Sequence, residues 1–254
     1  MDKTFTLKIF RGTKDKQFWD EFELPLTSGM NVISALMEIQ KEPVNKKGAR
    51  VEPVSWEQGC LEEVCGSCSM LINGRPRQAC TAIIHTILEK TGSNVITLAP
   101  FTKFPLVRDL VVNRERMFRT LKEVKGWIDV DGSFIKGFGP QIPQAKQEKM
   151  YVLSTCMTCG CCTEACPQFG QTQKFVGPAA VSQVRLFNSH PTGAYEKSSR
   201  LATLMQEGGI SDCGNAQNCV QVCPKEIPLT ESIASIGRDV SLEAFRRIFS
   251  TPDR

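Results

Sequence analysis

Twelve cysteines in three groups constrain this 254-residue chain more than any other feature. The groups are Cys60, Cys65, Cys68 and Cys80; then Cys156, Cys159, Cys161, Cys162 and Cys166; then Cys213, Cys219 and Cys223. None falls between Cys80 and Cys156, and the gap marks a change of domain near Pro100 to Pro105. We therefore expect residues 1–105 and 106–254 to form two small domains instead of one large one, with 41% apolar content sufficient for a core in each. The N-terminus, Met1-Asp2-Lys3-Thr4-Phe5 followed by Lys8, Arg11, Lys14 and Lys16, offers no apolar region of a signal peptide. A cytoplasmic chain is expected, and there the thiols stay reduced, which favours metal ligation over disulfides.

The first half reads as a small β-rich domain. Phe5, Leu7 and Ile9 alternate with Thr6 and Lys8 as in a half-buried strand, and Glu21-Phe22-Glu23-Leu24 gives a second, ended by Pro25. Val32, Ile33, Leu36, Met37 and Ile39 recur at helical spacing after Ser28 and Asn31, either of which can cap. Met70-Leu71-Ile72-Asn73-Gly74 predicts a strand entering a tight hairpin, because Asn-Gly readily takes two positive φ values.

Cys60-x4-Cys65-x2-Cys68 with Cys80 beyond it is the plant-type spacing for a [2Fe–2S] cluster. Gly59 and Gly66 allow the backbone close to the cluster, and Ser67 and Ser69 add hydroxyl donors. A structural zinc site also uses four thiolates, but zinc favours two separated knuckles over three ligands crowded into one loop.

The second half moves to helical spacing: Val181, Val184, the stem of Arg185 and Phe187 after Pro178; Leu201, Leu204 and Met205 before Gly208-Gly209. A last helix is expected through Leu229, Ile233, Ile236, Val240 and Phe245, with Gly237 a weak point. The Gly- and Pro-rich stretch from Gly126 to Pro143 reads as loop, and the domain as all-helical.

Cys156-x2-Cys159-x2-Cys162-x3-Cys166-Pro167 is the bacterial ferredoxin run, in which three thiolates hold one cluster and the fourth crosses to another. The third group repeats it as Cys213-x2-Ala216-x2-Cys219-x3-Cys223-Pro224, with alanine in place of one ligand. By the crossing rule Cys156, Cys159, Cys162 and Cys223 complete a [4Fe–4S] site. Cys166, Cys213 and Cys219 supply only three thiolates, which favours [3Fe–4S]; a four-iron cluster with water at its open iron is the alternative. Cys161 is left over, either a buried thiol or a competing ligand.

The three groups in this order, with Cys-Met-Thr-Cys-Gly-Cys-Cys, Ala-Cys-Pro, Asn-Cys-Val-Gln-Val-Cys-Pro and Phe104-Pro105-Leu106-Val107-Arg108-Asp109-Leu110, closely resemble the iron–sulfur subunits of succinate dehydrogenase and fumarate reductase. The likeness runs from about Phe5 to Phe249 and is strongest to the Gram-positive, menaquinone-linked succinate dehydrogenases, through Asn31 to Ile39 and Cys60 to Gly66. It implies an α+β architecture: a ubiquitin-like (β-grasp) plant-type ferredoxin domain, then a helical bacterial-ferredoxin-like domain. It implies a relay in which electrons from succinate, oxidised at the FAD of a separate flavoprotein subunit, pass through the [2Fe–2S], [4Fe–4S] and [3Fe–4S] clusters to a quinone. The implied anchor is a membrane cytochrome b carrying haem b, which would hold the chain peripherally on the cytoplasmic face of the cell membrane. Fumarate reduction is the alternative direction.

Two departures bear on the quinone. Ubiquinone-reducing relatives carry a tryptophan pair after the Cys-Pro matching Cys166-Pro167 and a histidine after the cysteine matching Cys213; here those positions read Gln168-Phe169-Gly170-Gln171 and Gly214. The resemblance thus implies menaquinone and a dihaem anchor. No catalytic residue is expected in this chain, since His85 and His190 are too few and too scattered for a carboxylate-substrate site. A net charge of +4, from 31 basic and 27 acidic residues spread along the chain, gives no nucleic-acid footprint. Lys46, Lys47 and Arg50, and Arg114, Arg116 and Arg119, read as solvated faces or, less simply, as docking surfaces for an anionic partner. Two other classes stay open: the subunit of another flavoprotein reductase, whose relatives generally lack the plant-type domain, and a zinc assembly module.

Overall fold

The computed structural model describes residues 3–129 and 141–249. In chain order the elements are β1 (Thr4–Gly12), β2 (Gln17–Pro25), α1 (Val32–Lys41), β3 (Ser69–Ile72), β4 (Arg75–Gln78), α2 (Ile84–Thr91), β5 (Val95–Ala99), β6 (Leu106–Arg108) and β7 (Val111–Val112). They continue with α3 (Glu115–Glu123), α4 (Gln144–Ser154), α5 (Cys161–Glu164), α6 (Pro178–Ser189), α7 (Lys197–Leu204), α8 (Asn218–Gln221) and α9 (Leu229–Phe249). The chain divides into two compact units, Met1–Arg114 with Cys159–Glu164, and Glu115–Thr158 with Ala165–Arg254.

The first unit is built on a five-stranded mixed sheet in the order β2-β1-β5-β3-β4. β1 pairs antiparallel with β2 and parallel with β5, and β3 pairs antiparallel with both β4 and β5. The alternation in β1 buries Phe5, Leu7 and Ile9 against α1, each worth about 1.5–3 kcal/mol of transfer free energy. α1 begins at Asn31, which settles the choice between the two candidate caps. Its Oδ1 accepts from Ser34 N at 2.8 Å while its own N–H donates to Ser34 Oγ at 2.9 Å, a closed capping box. The buried stripe of α1 is Val32, Ile33, Ala35, Leu36 and Ile39, and Met37 faces outward. The β3–β4 hairpin turns through Asn73 (φ 49°) and Gly74 (φ 75°), the two positive values a type I′ turn demands. The Asn73 side chain then accepts from Thr97 N at 2.8 Å and locks β5 into register. The short ladder of β6 with β7 was not expected from the sequence.

The second unit is helical, with Val124, Ala180, Val181, Val184, Leu201, Leu204 and Ile236 forming its core. Pro178 opens α6 at a position where its missing N–H costs nothing. α9 runs through Gly237 without a break. Its first half follows the expected stripe, Leu229 and Ile236 being buried with Ile233 and Val240 against the same core. Phe245 departs from it: together with Leu242, Ile248 and Phe249 it is exposed. The expected loop from Gly126 to Pro143 lies partly outside the described residues; its described ends, Gly126–Asp129 and Gln141–Pro143, are neither helix nor strand.

Candidate metal centres

The first cysteine loop, between α1 and β3, turns its amides onto its own sulfurs. Leu61 (φ 63°), Glu63 (φ 57°) and Gly66 (φ 74°) adopt left-handed backbone, which coils the chain around Cys60 and Cys65. Cys60 Sγ accepts from Val64 N at 3.2 Å, Cys65 N at 3.3 Å and Glu62 N at 3.4 Å. Cys65 Sγ accepts from Cys60 N at 3.4 Å and Ser67 N at 3.5 Å. The Ser67 hydroxyl and these amides draw the Cys65 thiol down to about 6, toward the thiolate that ligates iron. Gly59 is required by space: a Cβ there would stand 2.9 Å from Cys65 Sγ. Cys68 and Cys80 are buried, and burial pushes the Cys68 thiol up to about 12. A thiolate there needs a positive partner, which a bound iron would supply. The donor set fits a [2Fe–2S] group, whose sulfur charge such amides stabilise. Among the described residues no three His, Cys, Asp or Glu side chains close on a single metal ion, so the fit rests on the donor arrangement and not on a preformed ion cage.

Cys159 and Cys162, both buried, flank Cys161 in the segment of the first unit that ends in α5. Thr158 (φ 52°) and Gly160 (φ 91°) bend the chain around Cys159. The Cys161 thiol hydrogen-bonds to Cys159; that bond, ahead of the opposing burial, holds Cys159 below the ordinary thiol value, while it and burial push Cys161 well above it. Cys156 and Cys223 belong to the second unit and are partly exposed, so the four-iron set is carried by spacing alone.

The third group is built within the second unit. Cys166, Cys213 and Cys219 line one pocket, and Ala216, where the repeated run lacks its ligand, lines it with them. Asn215 (φ 51°) and Gln217 (φ 60°) flank Ala216 in left-handed backbone, which curls the loop over the pocket. Asn218 Nδ2 donates to Ala165 O at 3.2 Å and ties the start of α8 beside Cys166. Burial raises the Cys219 thiol. Three cysteines lining one pocket, with an alanine as neighbour, fit an incomplete cluster. Gln168 and Gly214, the departures noted above, line the same pocket, and a Cβ on Gly214 would come within 2.9 Å of Gln168 Nε2.

Several residues that hold these loops carry no local sequence signal. Arg114, expected on a solvated face, donates to Gly66 O at 2.7 Å and Cys159 O at 3.3 Å, joining two cysteine loops. Glu164 is buried and accepts from Thr102 N at 2.9 Å, Thr102 Oγ1 at 2.7 Å and Lys103 N at 3.0 Å. Arg116 stacks on Phe169 at 4.2 Å and donates to the Gly170 and Phe175 carbonyls, fixing the chain after Cys166-Pro167. Lys46 donates to Thr6, whereas Lys47, Arg50 and Arg119 are exposed as expected. His85 is exposed beside Glu89, and His190 ends α6 and accepts from Gly193 N.

A family model described as a 2Fe-2S iron-sulfur cluster binding domain matches residues 6–119, and one described as a 4Fe-4S dicluster domain matches residues 152–227. The chain is 57% identical over 251 residues to the succinate dehydrogenase iron-sulfur subunit of Bacillus subtilis, covering 98% of this chain and 97% of that protein. It is 31% identical over 207 residues to the fumarate reductase iron-sulfur subunit of Escherichia coli, covering 81% and 79%. A chain of the Mycobacterium smegmatis Sdh1 complex, solved in the apo form, superposes with a TM-score of 0.81 at 21% identity, covering 96% of this chain and 98% of that one, which shows a common fold.

Proposed function

The chain belongs to the succinate dehydrogenase iron–sulfur subunits, where it is the electron-transfer component, and from that premise we propose a ligand assignment and a pair of partners. Cys60, Cys65, Cys68 and Cys80 hold the [2Fe–2S] cluster; Cys156, Cys159, Cys162 and Cys223 the [4Fe–4S] cluster; Cys166, Cys213 and Cys219 a [3Fe–4S] cluster. The observation that carries the third site is the single pocket lined by its three cysteines and Ala216. When bound, the clusters supply one-electron redox chemistry at tuned potentials. The residues of this chain supply thiolates, aim amides at the sulfurs and exclude water from Cys68, Cys159, Cys162 and Cys219.

The partners proposed are an FAD-containing flavoprotein subunit, at which succinate is oxidised, and a dihaem cytochrome b anchor, with menaquinone as acceptor. Among the described residues no helix is long and apolar enough to cross a membrane, so attachment to the cytoplasmic face of the cell membrane rests on the anchor. The exposed Leu242, Phe245, Ile248 and Phe249 support a partner-bound state, since solitary proteins seldom leave such a group bare. Gln168 and Gly214 on the pocket of the third site support menaquinone over a ubiquinone site built from tryptophan and histidine. The fumarate reductase reading has the weaker support, at 31% identity against 57%.

The test is purification from membranes in detergent, with identification of the accompanying subunits and assay of succinate oxidation against menaquinone and ubiquinone analogues. A flavoprotein and a dihaem cytochrome b should accompany the chain, and the menaquinone analogue should be reduced. Deleting the anchor's gene should release the chain from the membrane fraction. Activity confined to the ubiquinone analogue would overturn the acceptor, and continued membrane binding without the anchor would overturn the partner.

A further inference from the structure

Gln78 ends β4 two residues before Cys80, directly opposite Ser69 in the β3–β4 ladder, and is completely buried. Its amide stands among three groups, all within the first compact unit. Oε1 lies 3.4 Å from Cys68 Sγ, Nε2 lies 2.8 Å from Ser69 Oγ, and Nε2 lies 3.6 Å from Cys161 Sγ. Cys161 in turn hydrogen-bonds to Cys159. A buried file of polar contacts therefore runs from Cys68 through Gln78 and Cys161 to Cys159.

The oxygen and nitrogen of a side-chain amide occupy near-equivalent places, so which of them faces Cys68 Sγ is set by what that sulfur offers. With a thiol, S–H donates to Oε1, as found here. A thiolate bound to iron has no proton to give, and the carbonyl would then face a negative sulfur. Turning the amide by half a revolution about its last bond removes this conflict and places a donor against Cys68 Sγ. Nε2–H then donates to Cys68 Sγ. Oε1 faces Ser69 Oγ, whose hydroxyl, now donated to Gly66 O at 2.7 Å, can rotate to donate to it instead. Cys161 keeps its bond to Cys159.

We propose that Gln78 is a positioning residue for electron transfer, donating its side-chain N–H to the Cys68 sulfur of the two-iron cluster and so raising that cluster's reduction potential. The inference rests on the assignment of Cys68 to a [2Fe–2S] group. One-electron reduction adds a negative charge to the cluster, and an amide donor turned onto the Cys68 sulfur, in the buried place where Oε1 stands at 3.4 Å, stabilises the reduced form more than the oxidised one. Ser69 can bond the amide in either orientation, and Cys161, 3.6 Å from its other end and bonded to Cys159, packs beside it, which gives the cysteine outside all three ligand sets a role. A carboxylate at position 78 could not donate and would add a negative charge beside a thiolate, which explains why an amide suits the position.

The test uses the purified complex. In the unmutated protein, with glutamine labelled with 15N in its side-chain amide, electron–nuclear spectroscopy of the reduced two-iron cluster should show coupling to one label. In Gln78→Leu, which keeps the volume and removes the donor, the two-iron signal should persist, the coupling vanish and the midpoint move to lower potential. Gln78→Glu should move it lower still. Cys161→Ser, which retains a hydroxyl, should keep the unmutated midpoint. A purely space-filling Gln78 would change thermal stability and leave midpoint and coupling alone. A two-iron signal without label coupling, or a midpoint unmoved in Gln78→Leu, overturns the inference while leaving the cluster assignment standing. Absence of any two-iron signal from the unmutated complex overturns both. The labelling measurement decides the matter even if neither variant assembles.

Discussion

Asp109 Oδ1 lies 3.2 Å from Arg11 Nε in the first unit, and both side chains are almost entirely buried. The carboxylate also accepts from Gly12 N at 2.7 Å and Ser55 N at 2.8 Å, so it pins the end of β1 to the irregular segment before the first cysteine loop. Arg11 faces the carboxylate at ion-pair distance without hydrogen-bond alignment at Nε, and its Nη2 donates instead to Glu52 O at 2.7 Å. Asp109→Ala takes the nearer carboxylate from a buried guanidinium and leaves it Asp20, 3.8 Å from Nη1, so the loss should fall toward the lower end of the about 3–5 kcal/mol found when a buried pair is broken. Asp109→Asn should cost less, because its amide oxygen still accepts a backbone bond and Asn tolerates the φ of 49° found here. Urea midpoints of the two variants would check the order. An Asp109→Ala protein within about 0.5 kcal/mol of the original, the range of ordinary surface changes, would show the pair to be dispensable.

Gly59→Ala places a methyl group 2.9 Å from Cys65 Sγ and 3.4 Å from Ser67 Oγ. The loop can relieve that contact only by drawing its amides off the sulfurs. Purified protein should lose about two irons while keeping the signals of the other clusters. Full two-iron occupancy at an unchanged midpoint would mean that the loop yields at no cost.

Protein kept from oxygen should contain about nine irons and about ten labile sulfides, one cluster of each type. Colorimetric iron and sulfide on the same sample give both values. About six irons and about six sulfides with two distinguishable clusters would remove the third site, and zinc in place of iron would remove all three.

Ala216→Cys supplies a thiolate on the wall of the pocket that Cys166, Cys213 and Cys219 line. Three iron ligands become four, and the three-iron cluster should convert to a four-iron one of lower potential through the added thiolate charge. Magnetic resonance on oxidised protein reads the change directly, since the three-iron form is paramagnetic and the oxidised four-iron form is not. Most of the signal should vanish, and succinate-driven quinone reduction should slow more than dye reduction at the flavoprotein. An undiminished signal in the variant would show that these three cysteines do not share an incomplete cluster.

The sequence by itself determined what local spacing can determine. A ferredoxin run is legible because ligands two or three residues apart can reach one small cluster whatever surrounds them, and the alanine at position 216 is visible against its own repeat. The alternation of Phe5, Leu7 and Ile9, the Asn73-Gly74 turn and the Asn31 cap are local in the same sense, and the structure contains all three. Periodicity was a poorer guide to which apolar positions are covered: Met37 and Phe245 satisfy a helical stripe and are exposed, because burial depends on what lies opposite. Only the tertiary structure decided that Cys159–Glu164 joins the compact unit of the sheet, that Arg114 bonds to Gly66 and Cys159, and that Gln78 lies against Cys161 from 83 positions away. Those partners are chosen by packing: a buried polar group must find a complement wherever the fold places one, and no spacing along the chain encodes a contact between segments that approach only once the core has closed.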